Sequence, residues 1–111
     1  MRVWGLKNCD TCRKAVKALE GAGYPLDYVD VRADGVDADD LARFHTAFGD
    51  ALVNKRSTTW RGLSDTERAG DPLDLLTQHP TLMKRPVIGD GDRLTLGWDA
   101  KTRDTWLERA A

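Results

Sequence analysis

The first thirty residues constrain the fold more than any other part of the chain. Arg2-Val3-Trp4-Gly5-Leu6 has a short strand pattern that ends at polar Lys7-Asn8. Cys12, Ala15, Val16, Leu19 and Ala22 then recur at helical spacing, which gives one apolar face to a helix beginning near Cys9. Gly23 and Pro25 stop that helix, and the alternating Leu26-Asp27-Tyr28-Val29-Asp30-Val31 predicts a second strand. Strands joined through a helical crossover pair in parallel, so the opening is a βαβ unit.

The remainder supplies helices and one hairpin. Asp37 is a plausible N-cap for a helix whose stripe is Leu41, Phe44, His45 and Phe48, with Gly49 at its end. The polar, basic stretch Asn54 to Arg61 reads as a helix end and loop. Ser64 to Ala69 and Asp71-Pro72 to Gln78 predict two short helices, the second with Asp at N-cap and Pro at the first helical position. Val87 to Gly97 reads as a hairpin around a Gly-Asp-Gly-Asp turn. Asp99 then caps a last helix that faces Trp106, Leu107 and Ala110 inward.

Two strands joined by a crossover and two by a hairpin make one mixed four-stranded sheet. The order β-α-β, helical insertion, β-β-α is that of an α/β, thioredoxin-like fold. At 111 residues with 41% apolar content, the chain fits a single domain over 1–111, with the insertion at about 37–80.

Cys9 and Cys12 sit where the first strand gives way to the helix. A helix N-terminus presents unpaired N–H groups and partial positive charge, which stabilise a thiolate and lower its pKa. Cys9 is therefore the candidate nucleophile, exposed at or near the N-cap, and Cys12, one turn inside, the candidate resolving thiol. Asp10 opposes thiolate formation; Arg13 and Lys14 favour it. Other uses of the pair stay open. Zinc would need two further ligands, and the histidines are His45, on an apolar stripe, and His79, before Pro80. A structural disulfide would close too small a loop to restrict the unfolded chain much, and two inert buried thiols are a third possibility.

Composition removes several classes. A net charge of −1 gives no global basic footprint for nucleic acid. Charge is uneven all the same. Five basic residues face one aspartate between Met1 and Lys17, whereas seven aspartates face two arginines between Asp27 and Asp50. No apolar run reaches membrane-spanning length and the start lacks a signal-peptide core, so a cytoplasmic location is expected.

Lys7-Asn8-Cys9-Asp10-Thr11-Cys12-Arg13-Lys14, Asn54-Lys55-Arg56 followed by Thr58-Thr59-Trp60-Arg61, and Lys84-Arg85-Pro86 occur together. With these motifs the chain resembles the arsenate reductase (ArsC)/Spx family nearly end to end, with most likeness to its YffB-like subgroup. The resemblance implies a thiol oxidoreductase in which Cys9 attacks an oxyanion or forms a mixed disulfide with glutathione. It implies that Arg56 and Arg85 hold anionic substrate, that Pro86 follows a cis bond and exposes backbone for substrate pairing, and that Arg13 is a basic residue of the first helical turn. Asn8 and Arg61 are auxiliary candidates. No bound cofactor or metal is implied; glutathione is the expected co-substrate and a glutaredoxin a possible partner. Leu96-Gly97-Trp98-Asp99 lacks the third arginine that arsenate reductases carry there, so arsenate itself is not implied as substrate. The cysteine pair also resembles that of the Spx regulators, which implies the alternative of a redox-switched protein that binds RNA polymerase.

Overall fold

A computed structural model of the chain describes the backbone of residues 1–110 and the side chains through Leu107. Its backbone divides into two compact units, one formed by Met1–Asp30 together with Arg85 onward, the other by Val31–Lys84.

The first unit holds β1 (Arg2–Gly5), α1 (Asp10–Gly21), β2 (Asp27–Asp30), β3 (Val87–Asp90), β4 (Arg93–Leu96) and α6 (Ala100–Ala110). The strands form one mixed sheet in the order β2-β1-β3-β4. β1 and β2 are parallel, with Val3 opposite Tyr28 and Gly5 opposite Asp30. β3 runs antiparallel to both β1 and β4. The hairpin turn is tighter than the sequence suggests: Gly89 and Asp90 remain in the strand, and Gly91, at a φ of 61°, begins a two-residue turn. A two-residue loop matches strand twist with positive φ, which glycine adopts without a steric penalty.

Fully buried Val3, Leu19, Ile88 and Trp106 form this unit's core, one each from β1, α1, β3 and α6. Trp106 is the largest of them and its polar atoms are satisfied. Its indole N–H donates to the Thr95 hydroxyl at 2.8 Å, and its carbonyl accepts from the Tyr24 hydroxyl at 2.6 Å. Tyr24 meets the indole edge-on at 6.2 Å, and the Arg93 guanidinium lies 4.4 Å from the ring centroid. Asp99 caps the helix as expected, accepting the Thr102 N–H at 2.8 Å. The inward placement read for Ala110 lies outside the described side chains.

The second unit holds α2 (Ala38–Phe48), α3 (Thr58–Arg61), α4 (Asp65–Arg68) and α5 (Pro72–Gln78), with 3₁₀ turns at Gly49–Leu52 and Pro80–Leu82. A bridge between Val53 and Met83 joins the segment after the first 3₁₀ turn to that after the second, flanked by Asn54 N–H to Leu82 O and Lys84 N–H to Leu52 O, both 2.7 Å. One expectation needs correction. The stretch read as helix end and loop contains α3, because the Ser57 hydroxyl accepts the Trp60 N–H at 3.1 Å and starts a helical turn. Asp37 and Asp71 precede α2 and α5 as expected, but neither makes a side-chain cap. Among the described residues no helix is long and apolar enough to cross a membrane.

Candidate functional site

Cys9 is the N-cap of α1, with extended backbone at φ −99° and ψ 116°. Its sulfur accepts the Cys12 N–H at 3.4 Å, and its carbonyl accepts the first helical bond from Arg13 N–H at 3.0 Å. A cysteine thus occupies the position where serine or aspartate usually satisfies the orphan donors of a helix. The electronic consequence is a sulfur facing helical N–H groups, an arrangement that favours thiolate.

Cys9 is partly exposed, whereas Cys12 has no solvent exposure. Burial pushes the Cys9 thiol up, but the hydrogen bonds from the Cys12 side chain and backbone, joined by the charge and hydrogen bond of Arg85, outweigh it. The net effect holds Cys9 below the ordinary cysteine value. Cys12 goes the other way, pushed up to about 11 by burial first and then by its hydrogen bond and charge interaction with Cys9. The two sulfurs are therefore unequal in both access and acidity.

Arg85 stands immediately before β3, and the Arg85–Pro86 bond is cis, as the resemblance implies. Pro86 is fully buried and its carbonyl accepts the Gly97 N–H at 2.8 Å, which anchors the approach to β3 beside β4. Arg13 is differently employed. Its Nε donates to the Lys7 carbonyl at 3.0 Å and its Nη1 lies 3.8 Å from Asp10, so its fork closes the loop before α1. Asn8 is exposed in that loop.

Three residues that sequence reasoning missed shape this corner. The Tyr28 hydroxyl donates to the Leu6 carbonyl at 2.7 Å, and buried Asp30 accepts the Lys7 N–H at 3.3 Å, so β2 pins the loop that carries Cys9. Gly5 is the third. A Cβ there would stand 2.6 Å from the Tyr28 hydroxyl and 2.7 Å from the Cys12 sulfur, closer than real Cβ contacts come. The alternation of β2 did put Tyr28 and Asp30 on one face; what it could not supply was their register against β1.

Next to this loop lies a cavity of about 400 Å³, lined by Leu6, Val16 and Tyr28 with charged Lys7, Arg13, Lys17 and Glu20. Neither cysteine lines it. The two other predicted arginines belong to the Val31–Lys84 unit. Arg56 is exposed, and its N–H donates to Asn54 Oδ1 at 3.1 Å. Arg61 is exposed at the end of α3, where its carbonyl accepts from Arg68 Nη2 at 3.0 Å. Here too a residue went unread: Trp60 has Lys55 Nζ and Arg68 Cζ each 5.7 Å from its ring centroid, and its carbonyl accepts from Arg68 Nε at 3.1 Å. Among the described residues no group of three or more His, Cys, Asp or Glu is placed to hold a metal ion.

Comparison with known proteins places the chain among relatives of similar length and fold. An uncharacterized protein of Haemophilus influenzae is 41% identical over 104 residues, covering 89% of this chain and 91% of that one. The global transcriptional regulator Spx 1 of Lactococcus lactis is 26% identical over 108 residues, covering 92% and 84%. The solved structure of the YffB (PA3664) protein superposes with a TM-score of 0.87 at 29% identity, covering 96% of this chain and 97% of that one. The ArsC family model matches residues 4–105, including the cysteine corner and the cis-proline turn, and the chain belongs to the ArsC family.

Proposed function

We propose that the protein is a glutathione-dependent thiol–disulfide oxidoreductase in which Cys9 is the nucleophile and Cys12 the resolving thiol. The observation that carries this reading is the inequality of the two sulfurs: one partly exposed, capping a helix beside Arg85 and held acidic, the other buried and held as a thiol. A thiolate attacks; a protected thiol one turn away waits for the adduct.

The oxidative half of the cycle balances as two exchanges. The Cys9 thiolate attacks the glutathione sulfur of a glutathione mixed disulfide, an S–S bond forms at Cys9, and the other sulfur leaves as thiolate. Cys12 then attacks the Cys9 sulfur, forming the Cys9–Cys12 bond and releasing glutathione thiolate, which takes up the proton that Cys12 loses; two further glutathione thiols reduce that bond, leave as glutathione disulfide and return both cysteines to thiols. Arg85 and the N–H groups of α1 hold the negative charge on either side of the first exchange. The family resemblance assigns Arg56 a second anion-holding part and Arg61 an auxiliary one; replacing Arg56 by Ala is expected to raise KM for glutathione-bearing substrates.

Turnover of a glutathione mixed disulfide tests the reading. Cys9→Ser should abolish turnover, while Cys12→Ser should keep a monothiol route and accumulate one glutathione on Cys9. Full activity in Cys9→Ser would overturn it. The Spx relative, and the resemblance of the cysteine pair to that of the Spx regulators, favour one other reading, a redox-switched regulator docking on RNA polymerase. That reading is supported instead if the protein shows no turnover and a polymerase pull-down differs between its oxidised and reduced forms.

A further inference from the structure

Tyr28 and Cys12 meet over a backbone position that has no side chain to separate them. The hydroxyl and the sulfur each lie within 2.7 Å of the point where a Cβ on Gly5 would stand. Cys12 has no solvent exposure, so water cannot take over the stabilisation of its anion. Tyr28 is held by the β1–β2 register opposite Val3, and its single proton is directed to the Leu6 carbonyl at 2.7 Å. A phenol has one proton and two lone pairs. With that proton on Leu6 and the Cys12 S–H engaged with Cys9, the hydroxyl is the donor in reserve beside the Cys12 sulfur.

We propose that Tyr28 is the residue that makes Cys12 competent to resolve: its hydroxyl proton turns from the Leu6 carbonyl to the Cys12 sulfur as that thiol ionises. The inference rests on the reading of Cys9 as nucleophile and Cys12 as resolver. Rotation about the phenol C–O bond redirects the proton from the Leu6 carbonyl toward the sulfur across Gly5. Cys12 loses its proton, its sulfur forms the bond to Cys9, the bond from Cys9 to glutathione breaks, and the electron pair leaves on the glutathione sulfur, which takes up a proton in turn. Tyr28 keeps its own proton throughout. It is unsuited to act as the base, because burial and then the neighbouring Cys12 raise its own ionisation well beyond the ordinary range. The other ionisable groups facing this pair are Cys9 on α1 and Asp30 on β2, both of which oppose an anion on the phenol. Donation from Tyr28 to the Cys12 anion also acts against the burial that pushes Cys12 up.

The kinetic sign follows. Losing the donor raises the Cys12 pKa, and each unit cuts the thiolate tenfold while making that thiolate about threefold more nucleophilic. Resolution should therefore slow about threefold for each unit.

Tyr28→Phe removes one oxygen and keeps the ring. Reduced protein is mixed with glutathione disulfide, quenched with acid and mapped by mass spectrometry. The Cys9–glutathione adduct should persist about threefold longer or more in Tyr28→Phe at neutral pH, its lifetime being read from the decay of adduct already formed, so that any change in the rate of the first step does not enter. Because the chain has two cysteines, a Cys9→Ser protein carrying ¹³Cβ-cysteine gives one NMR signal, and Tyr28→Phe in that background should move its inflection upward. This titration needs no turnover. It separates the inference from the proposed function, which alone fails if no Cys9 adduct forms in any variant. Replacing both tyrosines by 3-fluorotyrosine, a stronger donor of nearly unchanged shape, should shorten the adduct lifetime without any truncation. An unchanged or lowered Cys12 inflection in Tyr28→Phe, or a fluorotyrosine protein that resolves no faster, overturns the proposal.

Discussion

At the scale of single residues, reactivity is divided between two sulfurs by their surroundings. Cys9 and Cys12 are chemically identical side chains three positions apart. One takes the cap of a helix and the guanidinium of Arg85, and the other takes the interior. Arg85→Ala removes a charge and a hydrogen bond from the Cys9 anion, so the inflection of Cys9 alkylation should rise. Its rate at neutral pH should fall about threefold to tenfold. Arg85→Lys, which keeps the charge and loses the planar fork, should fall between the two. Arg13→Ala is expected to move Cys9 much less, because Arg13 is engaged with the Lys7 carbonyl and Asp10. The sequence showed the basic residues near the cysteines but not which one turns toward the sulfur. That depends on the approach of β3 to α1 in space, from residue 85 to residue 9.

At the scale of elements, the β1-α1-β2 crossover and the β3-β4 hairpin were legible because each has a local cause. Helical spacing ran from Cys12 to Ala22, Gly23 and Pro25 stopped it, and Gly91 met the demand of a tight turn for positive φ. Two things were not legible. α3 is four residues long, too short to show periodicity, and it forms because Ser57 caps it and Trp60 is held by Lys55 and Arg68. The importance of Gly5 was hidden as well, since its neighbours come from α1 and β2. Gly5→Ala should destabilise the protein by about 1–3 kcal/mol through overpacking, read as a lower urea midpoint. In a Tyr28→Phe background the cost should shrink but not vanish, because the hydroxyl is gone while the Cys12 sulfur remains at 2.7 Å. Equal costs in both backgrounds would mean that the hydroxyl is not what Gly5 makes room for.

At the scale of the whole molecule, a buried thiol links function to stability. Burial pushes Cys12 up to about 11 in the folded chain, from about 8.5–9 for an unfolded cysteine. Well below that range it is protonated in both states. Between about 9 and about 11 the unfolded chain releases the proton first, so the unfolded state binds fewer protons and stability falls as pH rises. Urea unfolding of the wild-type chain should lose on the order of 2 kcal/mol across that window relative to Cys12→Ala, which lacks the titration. Parallel profiles would remove the assignment of a buried, protonated Cys12. The element order, the sheet and the family were readable from one sequence. The residue-level division of labour around Cys9 was not, because it is set by packing between strands and helix.

The central claim is that Cys9 is the acidic, reactive thiol of the pair. The most direct test is the rate of iodoacetamide alkylation of the wild-type chain against pH, with the Cys9 and Cys12 positions followed separately by peptide mapping. Cys9 should be modified first, with an inflection below the free-cysteine value of about 8.5, while Cys12 stays unmodified in the folded protein at neutral pH. A Cys9 inflection at or above that value, or faster modification of Cys12, would contradict the claim.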